Sequence, residues 1–236
     1  MKTETSLKIL SYSAYALAGV SYYYGWSSDK NSYVSNAMMG VQSFAVASLF
    51  DRVLKACLAE NTPAESTSMK KTFLVPLLEE GMYSGILLTQ SSMWMLPRFL
   101  TAICTGATAA RAITGRVTAE QNKQGLTIDT KIGFFWAIAR EVFVQVLPTS
   151  AFPLVAMDSC VFGLAEACSK KDGPEIPKFR AQWSYKVLSG IMFRGIANTI
   201  AHTDGIIAPI TQHLLFNISR YQGRITNKFM GCTTET

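Results

Sequence analysis

Eight long apolar stretches separated by short polar connections dominate this chain, at 9–26, 33–50, 73–88, 93–110, 132–146, 151–168, 185–201 and 206–218. β-branched alternation over strand lengths is scarce, so the stretches read as helices and the fold class as all-α. Each reaches, or falls a little short of, the roughly 17–25 residues that a helix needs to cross a bilayer. Small residues recur in them, as in Ala45-Val46-Ala47-Ser48. Such residues permit close helix packing in lipid, and in water too. Polar connections lie at 27–31, 58–71, 117–131 and 169–182, the last carrying the helix breakers Gly173, Pro174 and Pro177. No internal repeat or low-complexity tract is evident. The expectation is one domain over 1–236, a membrane-embedded, multi-pass bundle of about six to eight helices.

Composition leans the same way. Of the 236 residues, 49% are apolar and 16% charged, against a soluble norm of roughly 25% charged. The mean hydropathy of +0.18 is low for a polytopic membrane protein, so a soluble all-α interaction protein stays open. The net charge is +6, with basic residues at segment ends: Lys2 and Lys8, Arg52 and Lys55, Lys70 and Lys71, Lys170 and Lys171, Arg220 and Arg224. This suits anchoring at membrane lipids, whereas nucleic-acid binding wants a contiguous basic face. Ordinary solvated loop charges would look the same. Lys and Arg are spread too evenly among the connections to say which of them face the cytoplasm. Lys8 and the apolar run after it read as a first anchor helix rather than a signal peptide. The five cysteines form no C-x-x-C, so neither a disulfide framework nor a zinc site is expected, and no metal or cofactor is implied.

Within the third stretch, Pro76-Leu77-Leu78-Glu79-Glu80-Gly81-Met82-Tyr83-Ser84-Gly85-Ile86-Leu87-Leu88 holds two adjacent carboxylates in apolar surroundings. A buried carboxylate costs several kcal/mol or more unless it is paired or hydrogen-bonded. On a helix the two point roughly 100° apart. From residue types alone, a short soluble helix with one exposed acidic edge is the plainer reading. In Ala208-Pro209-Ile210-Thr211-Gln212-His213-Leu214-Leu215-Phe216-Asn217, His213 and Asn217 are i,i+4 and share a face. A neutral imidazole can hold a water or take its proton, and an amide can donate to an oxyanion. A satisfied core histidine is the plainer reading.

Taken together, these segments resemble the CPBP family of CAAX prenyl proteases and bacteriocin-processing enzymes. Residues 76–88 are similar to its first motif, Glu-Glu-x-x-Phe-Arg-Gly-x-Leu, and 203–217 to its last, with Ala-Pro-Ile and His-x-x-x-Asn. Phe162-Gly163-Leu164-Ala165-Glu166 approximates the middle motif, Phe-Gly-Leu-x-His. The resemblance implies an intramembrane endopeptidase acting on a membrane protein or a prenylated peptide. It implies Glu79 as general base, Glu80 as its partner, and His213 and Asn217 holding the water and the oxyanion. Tyr83, Phe162 and Glu166 would contact substrate.

Departures from the family pattern bear on activity. Ser84 stands where the motif has Arg, leaving Glu79 and Glu80 as like charges side by side, which disfavours ionising both. Glu166 stands where the middle motif has His. His202, before the turn Thr203-Asp204-Gly205, is either a helix-end histidine or its substitute. The span 93–146 is an insertion of one or two helices relative to the family. Arg111, Arg140 and Arg194 are candidates for the missing cation, and we read the Phe193-Arg194-Gly195 echo of the lost motif as coincidence. These departures favour an impaired relative, a non-catalytic membrane protein that binds or regulates partners, over an active protease.

Overall fold

A computed structural model describes residues 3–24, 32–58, 69–89, 91–114, 119–146, 152–169 and 176–229. The described residues form helices and no strand: α1 (Thr3–Tyr23), α2 (Tyr33–Leu58), α3 (Met69–Glu80), α4 (Met95–Ile113), α5 (Ala119–Val146), α6 (Phe152–Ser169), α7 (Ile176–Asp204) and α8 (Ile207–Phe229). The all-α class is therefore as expected. Between α3 and α4 the helix continues as a π-helical segment, Gly81–Leu87, followed by a 3₁₀ turn, Ser92–Trp94.

Side-chain contacts fix an up-and-down order. Tyr15 donates to Ser48 and Gln42 to Ser21, so α1 and α2 run antiparallel. Arg98 bonds Glu141 and Ile103 lies against Gly133, which sets α4 against α5 in the same sense. Ser159 faces Gly195 and Ile191 faces Gly163, which does so for α6 and α7. Phe193 stacks near Phe216, and α8 returns along α7. Tyr185 and Ser189 both donate to Asp51, tying the start of α7 to the end of α2. The main core gathers Ala14, Ala18, Phe44, Phe162, Phe193 and Phe216, and a smaller one gathers Leu87, Ala102 and Ala137.

Helix ends follow local chemistry. The Ser32 hydroxyl accepts from the Ser35 N–H and caps α2. Pro177 sits in the first turn of α7 and Pro209 in that of α8, where a missing N–H leaves no bond unmade. For that reason α7 begins at Ile176, inside the segment assigned to a connection, and Pro177 starts the helix instead of breaking it. Likewise α5 begins at Ala119, thirteen residues ahead of its apolar stretch, because one face of that polar segment is inward: Gly125 and Asp129 are buried. The span 93–146 holds α4 and α5. Gly205, with φ of +85°, makes the tight reversal between α7 and α8.

A Cβ on Gly133 would meet the Ile103 carbonyl oxygen at 2.3 Å. Gly133→Ala is therefore expected to destabilise by about 1–3 kcal/mol. Gly19→Ala, whose Cβ would meet nothing within 4 Å, is expected to be neutral or slightly stabilising. Thermal unfolding of the two variants checks this, and equal midpoints would exclude the close α4–α5 contact.

Candidate functional site

The two motif segments converge. Glu80 is fully buried at the end of α3, and His213 is buried on α8, 133 residues away in sequence. The His213 Nδ1 lies 2.8 Å from Glu80 Oε1. Its Nε2 lies 3.8 Å from Glu79 Oε2. The imidazole thus stands between the two carboxylates, one on each ring nitrogen. The side chain of Glu79 is 29% exposed, whereas that of Glu80 is 0% exposed, so the two acids have different surroundings.

Arg194 supplies a cation to Glu80. Its Nη1 donates to Glu80 Oε1 at 3.1 Å, and its Nη2 donates to Oε2. Nη2 also donates to the Ser84 hydroxyl at 3.0 Å, and Ser84 donates to Glu80 Oε2 at 2.7 Å. Ser84, where the resembled motif has Arg, is thus bonded by an arginine from α7. Of the three candidate cations Arg111, Arg140 and Arg194, it is Arg194 that pairs with Glu80. A buried carboxylate requires a partner, and the arginine one α7 residue past Phe193 is the one in reach. The guanidinium also lies 5.4 Å from the Tyr83 ring centroid and 5.3 Å from that of Phe162, within cation–π range.

Two more buried arginines hold the far end of the π-helical segment. Arg98 forms a two-pronged pair with Glu141 and donates to the Thr89 carbonyl. Arg140 pairs with Asp158 through Nε at 2.8 Å and Nη2 at 2.7 Å, and donates to the Leu87 carbonyl. The carbonyls at a helix end have no partner of their own. Here α4 and α5 provide them. Neither Arg98 nor Asp158 stood out in the sequence, and Arg140 proves to serve Asp158 rather than the Glu79–Glu80 pair.

A cavity of about 380 Å³ opens beside Glu79. Tyr83, Met82, Leu100, Cys104, Phe162 and Ala165 line it, so it is mostly apolar with one acid at its wall. Of the three residues expected to contact substrate, Tyr83 and Phe162 border this cavity and pack edge-to-face with centroids 4.8 Å apart. The side chain of Glu166 lies outside those described, as does that of His202. Asn217 is half-buried on α8, one turn beyond His213, and is not among the groups that bond Glu80. Among the described residues, no group of three His, Cys, Asp or Glu is placed to hold a metal ion. No helix among them is long and apolar enough to cross a membrane.

No protein-family model matches this chain, and no curated protein or solved structure matches it significantly. The CPBP resemblance rests on the motif residues alone.

Removing one member of a buried ion pair leaves an uncompensated charge and costs about 3–5 kcal/mol. Arg194→Met is expected to lose that much. Ser84→Arg combined with Arg194→Met is expected to regain a measurable part, because a guanidinium at 84 starts one turn from Glu80. If denaturation shows the double variant no more stable than the single one, the exchange of position between 84 and 194 is wrong.

Proposed function

We propose that this chain is a membrane-embedded helical hydrolase in which Glu79 and His213 activate a water to cleave an amide bond. The observation that carries the reading is the 3.8 Å separation of His213 Nε2 from Glu79 Oε2, with Nδ1 already bonded to Glu80. The Nδ1–H donates to the Glu80 carboxylate, so a neutral ring presents an unprotonated Nε2 to Glu79. Two acceptors that far apart do not bond each other directly. A single water placed between them can donate one hydrogen to each, which turns its lone pair toward the cavity. Attack on a carbonyl carbon there forms the oxygen–carbon bond and passes one water proton to Glu79. Glu79 then returns it to the leaving nitrogen as the carbon–nitrogen bond breaks. Glu80 and Arg194 position the imidazole and do not touch the reacting atoms. Asn217 is the amide that the resemblance assigns to the oxyanion, and a membrane-embedded or lipidated peptide is the substrate class it implies.

Support for the membrane setting comes from an inverted distribution of polarity. Among the described side chains, seven charged residues are buried: Glu80, Arg98, Asp129, Arg140, Glu141, Asp158 and Arg194. Of the charged side chains described, only Arg52, Lys55 and Lys131 are exposed. Thirty-five large hydrophobic residues are exposed, including Phe134, Phe135 and Val142 on α5. Soluble proteins place charge outside. In a bundle within lipid, polar groups face inward and pair with one another, and the inward faces lower each helix's average apolarity without changing the outer surface.

A non-catalytic binding role is the second reading, favoured by Glu166 at the position of the middle-motif histidine. The test is hydrolysis of a quenched fluorescent apolar peptide by the protein in proteoliposomes. Glu79→Gln is expected to lower the rate about 100-fold or more, as for loss of a general base, with an unchanged thermal midpoint. Equal rates in Glu79→Gln, in His213→Ala and in the parent would eliminate the hydrolytic reading in favour of the binding one.

A further inference from the structure

Charge is sorted by end in this bundle. The up-and-down order gathers the starts of α1, α3, α5 and α7 with the ends of α2, α4, α6 and α8. Of the 22 Lys and Arg residues, Arg98, Arg140 and Arg194 are buried inside. Of the others, Lys30 alone belongs, by sequence, to the opposite end, in the connection from α1 to α2. The remaining eighteen fall on the helix halves that make up the first end, or in the sequence attached to it. Arg52 and Lys55 close α2, Lys70 and Lys71 open α3, and Arg111 closes α4. The connections of the opposite end, at 24–32, 88–94, 147–151 and 205–206, contain only Asp29 and Lys30 as charged residues. That end displays exposed aromatic side chains instead: Tyr23, Tyr24, Tyr33 and Trp94.

In a membrane, connections rich in Lys and Arg stay on the cytoplasmic side, and the rule counts cations irrespective of accompanying acids. That leaflet carries anionic headgroups, which attract Lys and Arg near its surface. Tyr and Trp concentrate where headgroups meet hydrocarbon. We propose that the basic end of this bundle is the surface that binds the anionic cytoplasmic leaflet, with the aromatic-rimmed end at the opposite interface. This rests on the membrane reading above and assigns it a direction. His213 is six residues into α8, about 9 Å by helix rise from the aromatic-rimmed end. The cleft beside Glu79 therefore receives a substrate bond lying in the half of the bilayer away from the cytoplasm. Its wall is exposed along the helices at Met82, Leu100 and Cys104, so entry is from the lipid side.

The test is labelling of the full chain in bacterial cells stripped of their outer membrane, with a maleimide that cannot cross the inner one. Met93→Cys reports the aromatic-rimmed end and Lys55→Cys the basic end, each with the native cysteines changed to serine. Should that background fail to fold, Met93→Cys and native Cys57 are read in a chain that keeps its own cysteines, with labelled sites mapped by peptide mass. The expected result is labelling at 93 in intact cells, and at least ten-fold weaker labelling at 55 or 57 until the membrane is opened. The reverse pattern, or equal labelling of both ends, overturns the orientation while leaving the membrane reading in place. Release of the protein from membranes by alkaline carbonate sinks the membrane reading itself, and the orientation with it.

Discussion

Glu80 is the group on which the rest of the molecule depends. It has no access to solvent, and three side chains from three segments hold its two oxygens: Ser84 from the π-helical segment, Arg194 from α7 and His213 from α8. Each oxygen is met by charge-assisted bonds, which are about twice as strong as neutral ones. The arrangement ties α3, α7 and α8 together at one point and fixes the orientation of the imidazole. It also divides the labour between two adjacent and chemically identical acids. One is neutralised and structural, and the other borders a cavity. The like-charge conflict expected from the Glu-Glu pair does not arise, because the arginine reaches across from another helix.

The same solution is used twice more. Arg98 with Glu141 and Arg140 with Asp158 are buried pairs, and each arginine also satisfies a carbonyl near the end of the π-helical segment. Widened turns of that kind are rare and often mark functional sites. This one follows directly on Glu79 and Glu80 and carries Tyr83 and Ser84 into the site. Among the described side chains, half of the charged ones are buried, where they order backbone and side chains, and many large apolar ones are exposed. That inversion, together with the sorting of cations to one end, is what the proposed membrane setting rests on.

Much of this was legible in the residues. The apolar stretches and the scarcity of strand patterning indicated the helical class, because apolar runs of that length without β alternation are too long for ordinary strands. The pairing of Glu79 and Glu80 with His213 was readable from the motifs. The extents of α5 and α7 were not, since 119–131 and 176–184 are polar and lack an apolar period. Nor was the π-helical segment, which depends on α4 and α5 to satisfy its end. Arg194 had a signal in Phe193-Arg194-Gly195, but three arginines stood in apolar stretches and nothing in one dimension says which acid each will meet.

The sequence by itself determined that the chain is helical, that two carboxylates are set in an apolar segment, and that a histidine shares a helix face with an asparagine. These are properties of residue type and short-range spacing. Only the tertiary structure decided which arginine neutralises which acid, that His213 stands between Glu79 and Glu80, and that eighteen of the twenty-two Lys and Arg belong, by helix half or attached sequence, to one end. The even spread of Lys and Arg along the chain became a one-sided distribution only when alternate helices reversed direction. Contacts between groups more than a hundred residues apart are set by packing, and no local pattern encodes them.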